Sequence, residues 1–401
     1  MTYKRTDLLN ELMRWRDLDL VKVITGVRRA GKSSLLLMVC ETLKKEGIPE
    51  NRIAYINFED RRNMEISTPK QVWDELDRQL SGTGKKYIFL DEIQRINHFE
   101  EFVDAAYADK NYDVYMTGSN AWMLSGDLAT YLSGRYIEFN ITPLSFAEFM
   151  DEAKWDSRDG WRRYVRYGSF PYVRTLVENG MEPGVNDYLE GIFNTVLMKD
   201  VALRTKMSDV GTLRRIAGYL FDNVGNLTSV KRIADVLSSQ GGKVSYHAAE
   251  SYVQSLCDAF IMYKCERVDV KGAELLRNGA KYYAVDPGLR YYLNGNRAGD
   301  EGRVLENIVY LELRRRCRNV FVGRTHRGRE IDFVTRDGDR IAYYQVAETV
   351  KSEETLKREL GALLDIHDNY PKFLITGDDQ NPVMHNGIRQ LFVGDFLLRK
   401  A

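Results

Sequence analysis

The segment that most constrains this chain runs from residue 20 to residue 39, LVKVITGVRRAGKSSLLLMV. An apolar run ends at Gly26, a short polar loop follows, and a second apolar run begins just after Lys32. The pattern reads as strand, glycine-bounded loop and helix. The loop fits G-x-x-x-x-G-K-[ST] in full, with Gly26, Gly31, Lys32 and Ser33 in register. The residue types explain the chemistry. Glycines let the backbone wrap tightly so that N–H groups converge on phosphate oxygens. The positive end of the helix adds to the same field. Lys32 supplies a point charge for the β- and γ-phosphates, and the Ser33 hydroxyl is a ligand for Mg²⁺. Gly26, Val27, Arg28, Arg29, Ala30, Gly31, Lys32, Ser33 and Ser34 are therefore the expected nucleotide-binding set.

A second element stands where such a loop needs it. Residues 87–92, YIFLDE, form an apolar run ending in two carboxylates. A buried strand would deliver Asp91 to the sheet edge to hold Mg²⁺, with Glu92 beside it to orient or deprotonate an attacking water. RIAYINFED (52–60) is a further strand with an acidic end, where Glu59 and Asp60 either line the pocket or stay solvated. DVYMTGSNAWML (113–124) ends in Ser119 and Asn120, which read equally as γ-phosphate contacts or as a turn and helix cap. Arg135 in YLSGRYIEF either reaches the γ-phosphate, in cis or from a neighbouring subunit, or forms a surface ion pair. Apolar strands alternating with helical segments predict a three-layer α/β/α sheet.

GVRRAGKSSLLL, YINFED, FLDEIQ, TGSNAWML, LSGRY and PLSFAEF, taken together, resemble one prokaryotic group of AAA-type P-loop ATPases. The resemblance implies ATP and Mg²⁺ as cofactors and ATP hydrolysis as the reaction. It assigns Lys32, Ser33, Asp91 and Glu92 to the roles above, and makes Asn120 and Arg135 sensor and arginine-finger candidates. In that group the ATPase core is followed by a helical and winged-helix region, and a fold similar to the PD-(D/E)XK nucleases often closes the chain. The expected division is an ATPase core at 1–145, a helical lid or linker at 146–205, a winged-helix-like domain at 206–290 and a nuclease-like α/β domain at 291–401.

The residues of the later regions fit that order. LRRIAGYLFDNV, TSVKRIADVLSS and SYHAAESYVQSLCDAF read as three helices, the second capped at Thr228. IMYKCERV and KYYAVD read as a two-stranded wing. Ser245, Tyr246 and His247 begin the third helix and would meet DNA if it is a recognition helix. Farther on, Glu306 lies on a helix and Glu330 and Asp332 alternate along a strand, so the latter two share a face. This resembles a PD-(D/E)XK core, but Gln345 stands where the second acid is expected and Ala347 where the lysine is expected. Glu306, Asp332 and Gln345 thus read as a vestigial nuclease site. Arg314, Arg315, Arg316, Arg318, Arg324, Arg327 and Arg329 form a basic run that either tracks DNA phosphates or makes ion pairs.

Composition limits the partners. Lys plus Arg and Asp plus Glu are both 58, so no global charge favours nucleic acid and any such case is local. Cys40, Cys257, Cys265 and Cys317 match neither a disulfide framework nor a zinc site, which favours a reduced, cytoplasmic setting. No apolar run is long enough for a membrane span. The expected output is ATP-driven switching that regulates binding of DNA or a protein partner, with a homo-oligomer if Arg135 acts in trans. A DNA-cleaving ATPase and a non-hydrolysing ATP-gated scaffold are the competing functions.

Overall fold

The computed structural model describes residues 3–121, 132–202, 209–241, 244–271, 276, 279–295 and 299–399. The chain divides into two compact units, residues 1–141 with 258–260, and residues 142–257 with 261–401. The expected boundary between residues 205 and 206 lies outside the described residues.

The first unit is built on strands β1 (Val21–Thr25), β2 (Ile53–Asn57), β3 (Lys86–Asp91), β4 (Tyr112–Gly118) and β5 (Tyr136–Asn140), with helices α1 (Thr6–Arg14), α2 (Lys32–Lys45), α3 (Pro69–Gln79) and α4 (Phe99–Ala108). The sheet order is β2-β3-β4-β1-β5, and each neighbouring pair is parallel. Covered on both faces, the central strands are nearly continuous apolar runs. Val21, Val23, Ile88, Leu90, Val114 and Met116 pack with Val72 and Leu76 of α3 and Phe102 and Val103 of α4. The alternate residues face the other way, where Phe89 stacks on Tyr115 and α2 covers β3 and β4. This is the expected α/β/α core. A buried ion pair breaks the apolar pattern: Lys22, fully buried in β1, pairs with Asp113 of β4 at 2.5 Å and donates to the Leu18 carbonyl. Burial lowers the Lys22 pKa, and Asp113 opposes that shift.

The second unit opens with helices α5 (Phe146–Met150), α6 (Ser157–Tyr167), α7 (Pro171–Glu178) and α8 (Val185–Thr195). Helices α9 (Val210–Asp222), α10 (Val230–Ser239) and α11 (Tyr246–Asp258) follow, and then an antiparallel pair, β6 (Met262–Cys265) with β8 (Lys281–Ala284). The cap of α10 is Ser229, whose hydroxyl accepts the Arg232 N–H, and not Thr228. Thr228 is already committed to a backbone bridge with Ala280.

After α12 (Pro287–Asn294) and α13 (Glu301–Arg316) come β9 (Asn319–Arg324), β10 (Glu330–Asp337), β11 (Arg340–Ala347), α14 (Glu353–Leu364), β12 (Lys372–Thr376), β13 (Val383–His385), β14 (Ile388–Phe392) and α15 (Val393–Leu397). With β7 (Arg267–Asp269) they build a seven-stranded mixed sheet of order β13-β14-β12-β11-β10-β9-β7. Its core includes Ile331, Val334, Leu360, Leu363, Leu374 and Ile388. Strands β9, β10 and β11 are antiparallel neighbours, and β11 pairs parallel with β12. Among the described residues no helix is long and apolar enough to cross a membrane.

Candidate active site

Parallel strands bring their carboxyl ends to one edge of the first unit's sheet, where β1 runs directly into the glycine-bounded loop. Gly26 has φ +144°, and a Cβ there would lie 2.1 Å from the Ile141 carbonyl oxygen, so only glycine fits. Gly31 follows at φ +100° and starts α2 with no side-chain cap on the helix amides. A helix beginning without a cap leaves its first N–H groups for an anion. Lys32 is buried. Its ammonium donates to the Gly26 carbonyl at 3.0 Å and the Val27 carbonyl at 3.3 Å, and lies 3.9 Å from Glu92 Oε1.

Asp91 ends β3 with no exposed surface. Thr117 Oγ1 donates to its Oδ1 at 2.6 Å, while Tyr55 Oη and Asn57 Nδ2 donate to its Oδ2 at 2.8 and 3.1 Å. Three neutral donors hold a carboxylate in place without cancelling its charge. Burial first, and the Asp91 charge next, raise the Tyr55 pKa well above its usual value, so Tyr55 remains a donor. Glu92 turns sharply out of the strand at φ +59°, in the left-handed region. A non-glycine residue there costs on the order of 1–3 kcal/mol and marks a constrained position. Its N–H donates to Thr117 Oγ1 at 2.8 Å, and Gln94 Nε2 donates to its Oε2 at 2.5 Å.

At the end of β4, Ser119 and Asn120 are both buried, and the Ser119 hydroxyl has no hydrogen-bond partner. An orphaned polar atom facing this edge is a place for a ligand atom or a water. Glu59 bridges the loop to the segment after Glu92, meeting Arg28 at 3.4 Å and Arg95 at 3.0 Å. Burial raises the Glu59 pKa, but Arg95 and Arg28 outweigh it and hold the carboxyl below its ordinary range.

The edge thus gathers Gly26–Ser34, Asp91, Glu92 and Asn120. It also gathers Glu59, which the sequence left between pocket lining and solvent, and Tyr55, Asn57, Thr117 and Gln94, which the sequence reading did not single out. Their one signal was polarity at the carboxyl ends of otherwise apolar strands.

Arg135 belongs elsewhere. It precedes β5 and pairs by backbone with Val21, the first residue of β1, at the opposite end of the sheet from Gly26. The five residues of β1 separate the two ends, about 16 Å of extended chain. Arg135 is ion-paired with Asp104 at 2.8 Å and lies over the Tyr107 ring. The in-cis arginine-finger reading is therefore corrected.

Residues 19–150 match the family model described as an AAA domain. An uncharacterized protein of Haemophilus influenzae is 37% identical over 401 residues, covering 98% of each chain. This chain belongs to the prokaryotic AAA-type P-loop ATPases. The regions after the ATPase core match domains of unknown function, DUF8612 at residues 158–300 and DUF4143 at 301–393. An uncharacterized protein of Methanocaldococcus jannaschii is 29% identical over 382 residues, 90% of this ATPase and 82% of that protein. In fold, the Walker-type ATPase of Pyrococcus abyssi is similar, with TM-score 0.52 and 14% identity over 73% of this chain and 95% of that one.

In the second unit of this ATPase the basic run is mostly committed internally. Arg314 stacks over Tyr263 at 4.2 Å, and Arg315 donates to Thr142 and to the carbonyls of Pro143 and Leu144. Arg316 pairs with Glu312, while Arg327 and Arg329 face Asp365. As a phosphate track the run is reduced to its exposed members. Gln345, read as part of a vestigial nuclease site, is also occupied: its Nε2 donates to Glu359 at 3.0 Å and its Oε1 accepts the Asp332 N–H at 3.4 Å. By contrast, Tyr246 and His247 at the start of α11 are exposed, with the Tyr246 hydroxyl donating to Glu250.

Proposed function

We propose that the protein binds ATP at the Gly26–Ser34 loop, hydrolyses it, and uses the cycle to switch its hold on a partner. The observation that carries this reading is the convergence of Lys32, Asp91 and Glu92 at the end of a glycine-bounded loop, with the Lys32 ammonium 3.9 Å from Glu92 Oε1. The loop amides and Lys32 would take the phosphates. The donor set suits magnesium: a hydroxyl at Ser33 and a buried carboxylate at Asp91 are hard oxygen ligands. A bound Mg²⁺ would supply charge neutralisation on the phosphate oxygens.

Glu92 is the base or orienting group for the attacking water, held by Gln94 and by the Thr117 bond to its backbone. Ser119 and Asn120, buried at the end of β4, would sense the γ-phosphate. Lys32 donates to the Gly26 and Val27 carbonyls of its own loop, and bound ATP would offer it phosphate oxygens at the same place. An arginine finger from residue 135 would have to come from a second copy of the chain.

For the output, the order α9, α10, α11 and the β6–β8 pair supports a winged-helix reading of 206–290, with exposed Tyr246 and His247 as the contact residues. Residues 291–401 are read as a nuclease-like fold that binds and does not cut, since Gln345 is committed to Glu359 and residue 347 is alanine.

Calorimetric titration of ATP·Mg²⁺ into wild type and Lys32→Ala tests the foundation. Wild type should bind, and the variant should lose about 100-fold or more in affinity, equivalent to roughly 2.7 kcal/mol. Equal affinity in both would remove the reading.

A further inference from the structure

Glu306, Glu330 and Asp332 converge in the second unit, where a nuclease-like fold would place a divalent metal. They do not converge on empty space. Lys281, from β8, reaches between them: its Nζ lies 2.8 Å from Glu306 Oε1, 2.8 Å from Glu330 Oε1 and 3.6 Å from Asp332 Oδ1. The Lys281 side chain is 4% exposed.

We infer that the Lys281 ammonium is the resident cation of this carboxylate constellation, so that the nuclease-like fold holds a covalent internal cation in place of a metal ion and uses the cluster as a clasp between β8, α13 and β10. The inference deepens the reading of 291–401 as non-cutting, and it stands apart from the ATP reading.

Three further observations support it. Geometry comes first: Mg²⁺ needs oxygen ligands at about 2.0–2.1 Å on all sides. The ammonium already fills the centre that such ligands would surround, and a divalent ion beside it would meet a like charge. The second is the engagement of the oxygens. Glu306 Oε1 also accepts the Tyr283 hydroxyl at 2.6 Å, and Asp332 Oδ2 accepts the Val346 N–H at 2.8 Å. Among the described residues, moreover, no group of three or more His, Cys, Asp or Glu is arranged to hold a metal ion.

The third is charge. Burial alone would lower the Lys281 pKa, but Glu306, Asp332 and Glu330 outweigh it and raise it, so the side chain stays an ammonium. Burial first, and the Glu306 charge next, raise Asp332 far above the ordinary carboxylate range despite Lys281. A cluster of three acids and one ammonium is thereby kept close to neutral without an added ion.

Sequence position hides this residue. The missing lysine of the motif was expected two places after Gln345, whereas Lys281 lies 25 residues before Glu306 and outside the whole strand pair.

Mn²⁺ binding, read by paramagnetic resonance of the free ion without nucleotide, tests the inference on the full chain. Wild type and Asp332→Asn should give superimposable isotherms, because Asp332 serves no metal. Lys281→Ala should gain one equivalent of Mn²⁺ at about tenfold or higher affinity, a change of roughly 1.4 kcal/mol. Lys281→Ala/Asp332→Asn should lose it again. Stoichiometric Mn²⁺ in wild type that disappears in Asp332→Asn overturns the inference, as does a folded Lys281→Ala that gains no ion. The wild-type comparison with Asp332→Asn does not depend on whether the lysine variant folds, so the claim is decided either way.

Discussion

Lys32 and Lys281 are both buried ammoniums with carboxylates at hand, and the two regions hold them in different ways. Lys32 donates to two carbonyls of its own loop, and Glu92 Oε1 lies 3.9 Å from its ammonium. Lys281 makes two carboxylate contacts at 2.8 Å with side chains from a helix and a strand far along the chain. A cation held by neutral carbonyls can turn to an incoming phosphate without leaving a buried negative charge behind. A cation closed in by several carboxylates cannot be removed without leaving buried charge behind. On the readings proposed above, the same side chain would serve binding in one region and construction in the other, according to whether it is held by carbonyls of its own loop or by acids distant in sequence.

Single substitutions can break or sharpen that contrast. The largest difference should appear in stability. Lys281→Met strands Glu306, Glu330 and Asp332 without their counter-charge and should cost about 3–5 kcal/mol in denaturant unfolding. Lys32→Met should shift the same midpoint far less while removing ATP binding. Similar losses in the two variants would erase the distinction. If the clasp reading is right, Glu306→Gln added to Lys281→Met should recover part of the lost stability, because one stranded carboxylate is gone.

A smaller effect is expected at Glu59, which joins Arg28 of the phosphate loop to Arg95. Its side chain is 38% exposed, so Glu59→Gln should cost within about 1 kcal/mol. The sign with pH follows from the lowered carboxyl. The native state keeps Glu59 ionised below its ordinary value of 4.5. Its contribution is therefore fully present above 4.5 and is lost as pH falls through the lowered native pKa. The stability difference between wild type and Glu59→Gln should be flat at neutral pH and shrink below about 4.5. A difference that instead grew on acidification would contradict the assignment.

The two regions were not equally legible beforehand. The loop at Gly26–Ser34, the strand ending in Asp91 and the strand leading to Ser119 could be read because their chemistry is local: spacing, apolar runs and strand-end polarity all lie within a few residues. Fully buried parallel strands announce themselves as apolar runs. What escaped depends on partners distant in sequence. Lys22 inside an apolar strand is tolerable only because Asp113 arrives from β4. Thr228 has the right chemistry for a cap, but its backbone is bridged to Ala280, and Ser229 takes the role. Arg135 matched the type of residue that touches phosphate, yet β5 is parallel to β1, which fixes it at the wrong end of the sheet. Arg314, Arg315 and Arg316 looked like a basic track because composition does not reveal that a ring, three backbone and hydroxyl oxygens and Glu312 absorb them. Lys281 is the extreme case, invisible to any motif that expects its lysine on the strand beside the acids.

The central claim is that this sheet edge hydrolyses ATP with Glu92 acting on the water. Steady-state phosphate release at saturating ATP·Mg²⁺, compared between wild type and Glu92→Gln, tests it most directly. The account predicts measurable turnover in wild type and a loss of about 100-fold or more in Glu92→Gln, the scale expected for removing a general base, with ATP still bound. Equal rates in the two proteins, whether fast or negligible, would contradict it.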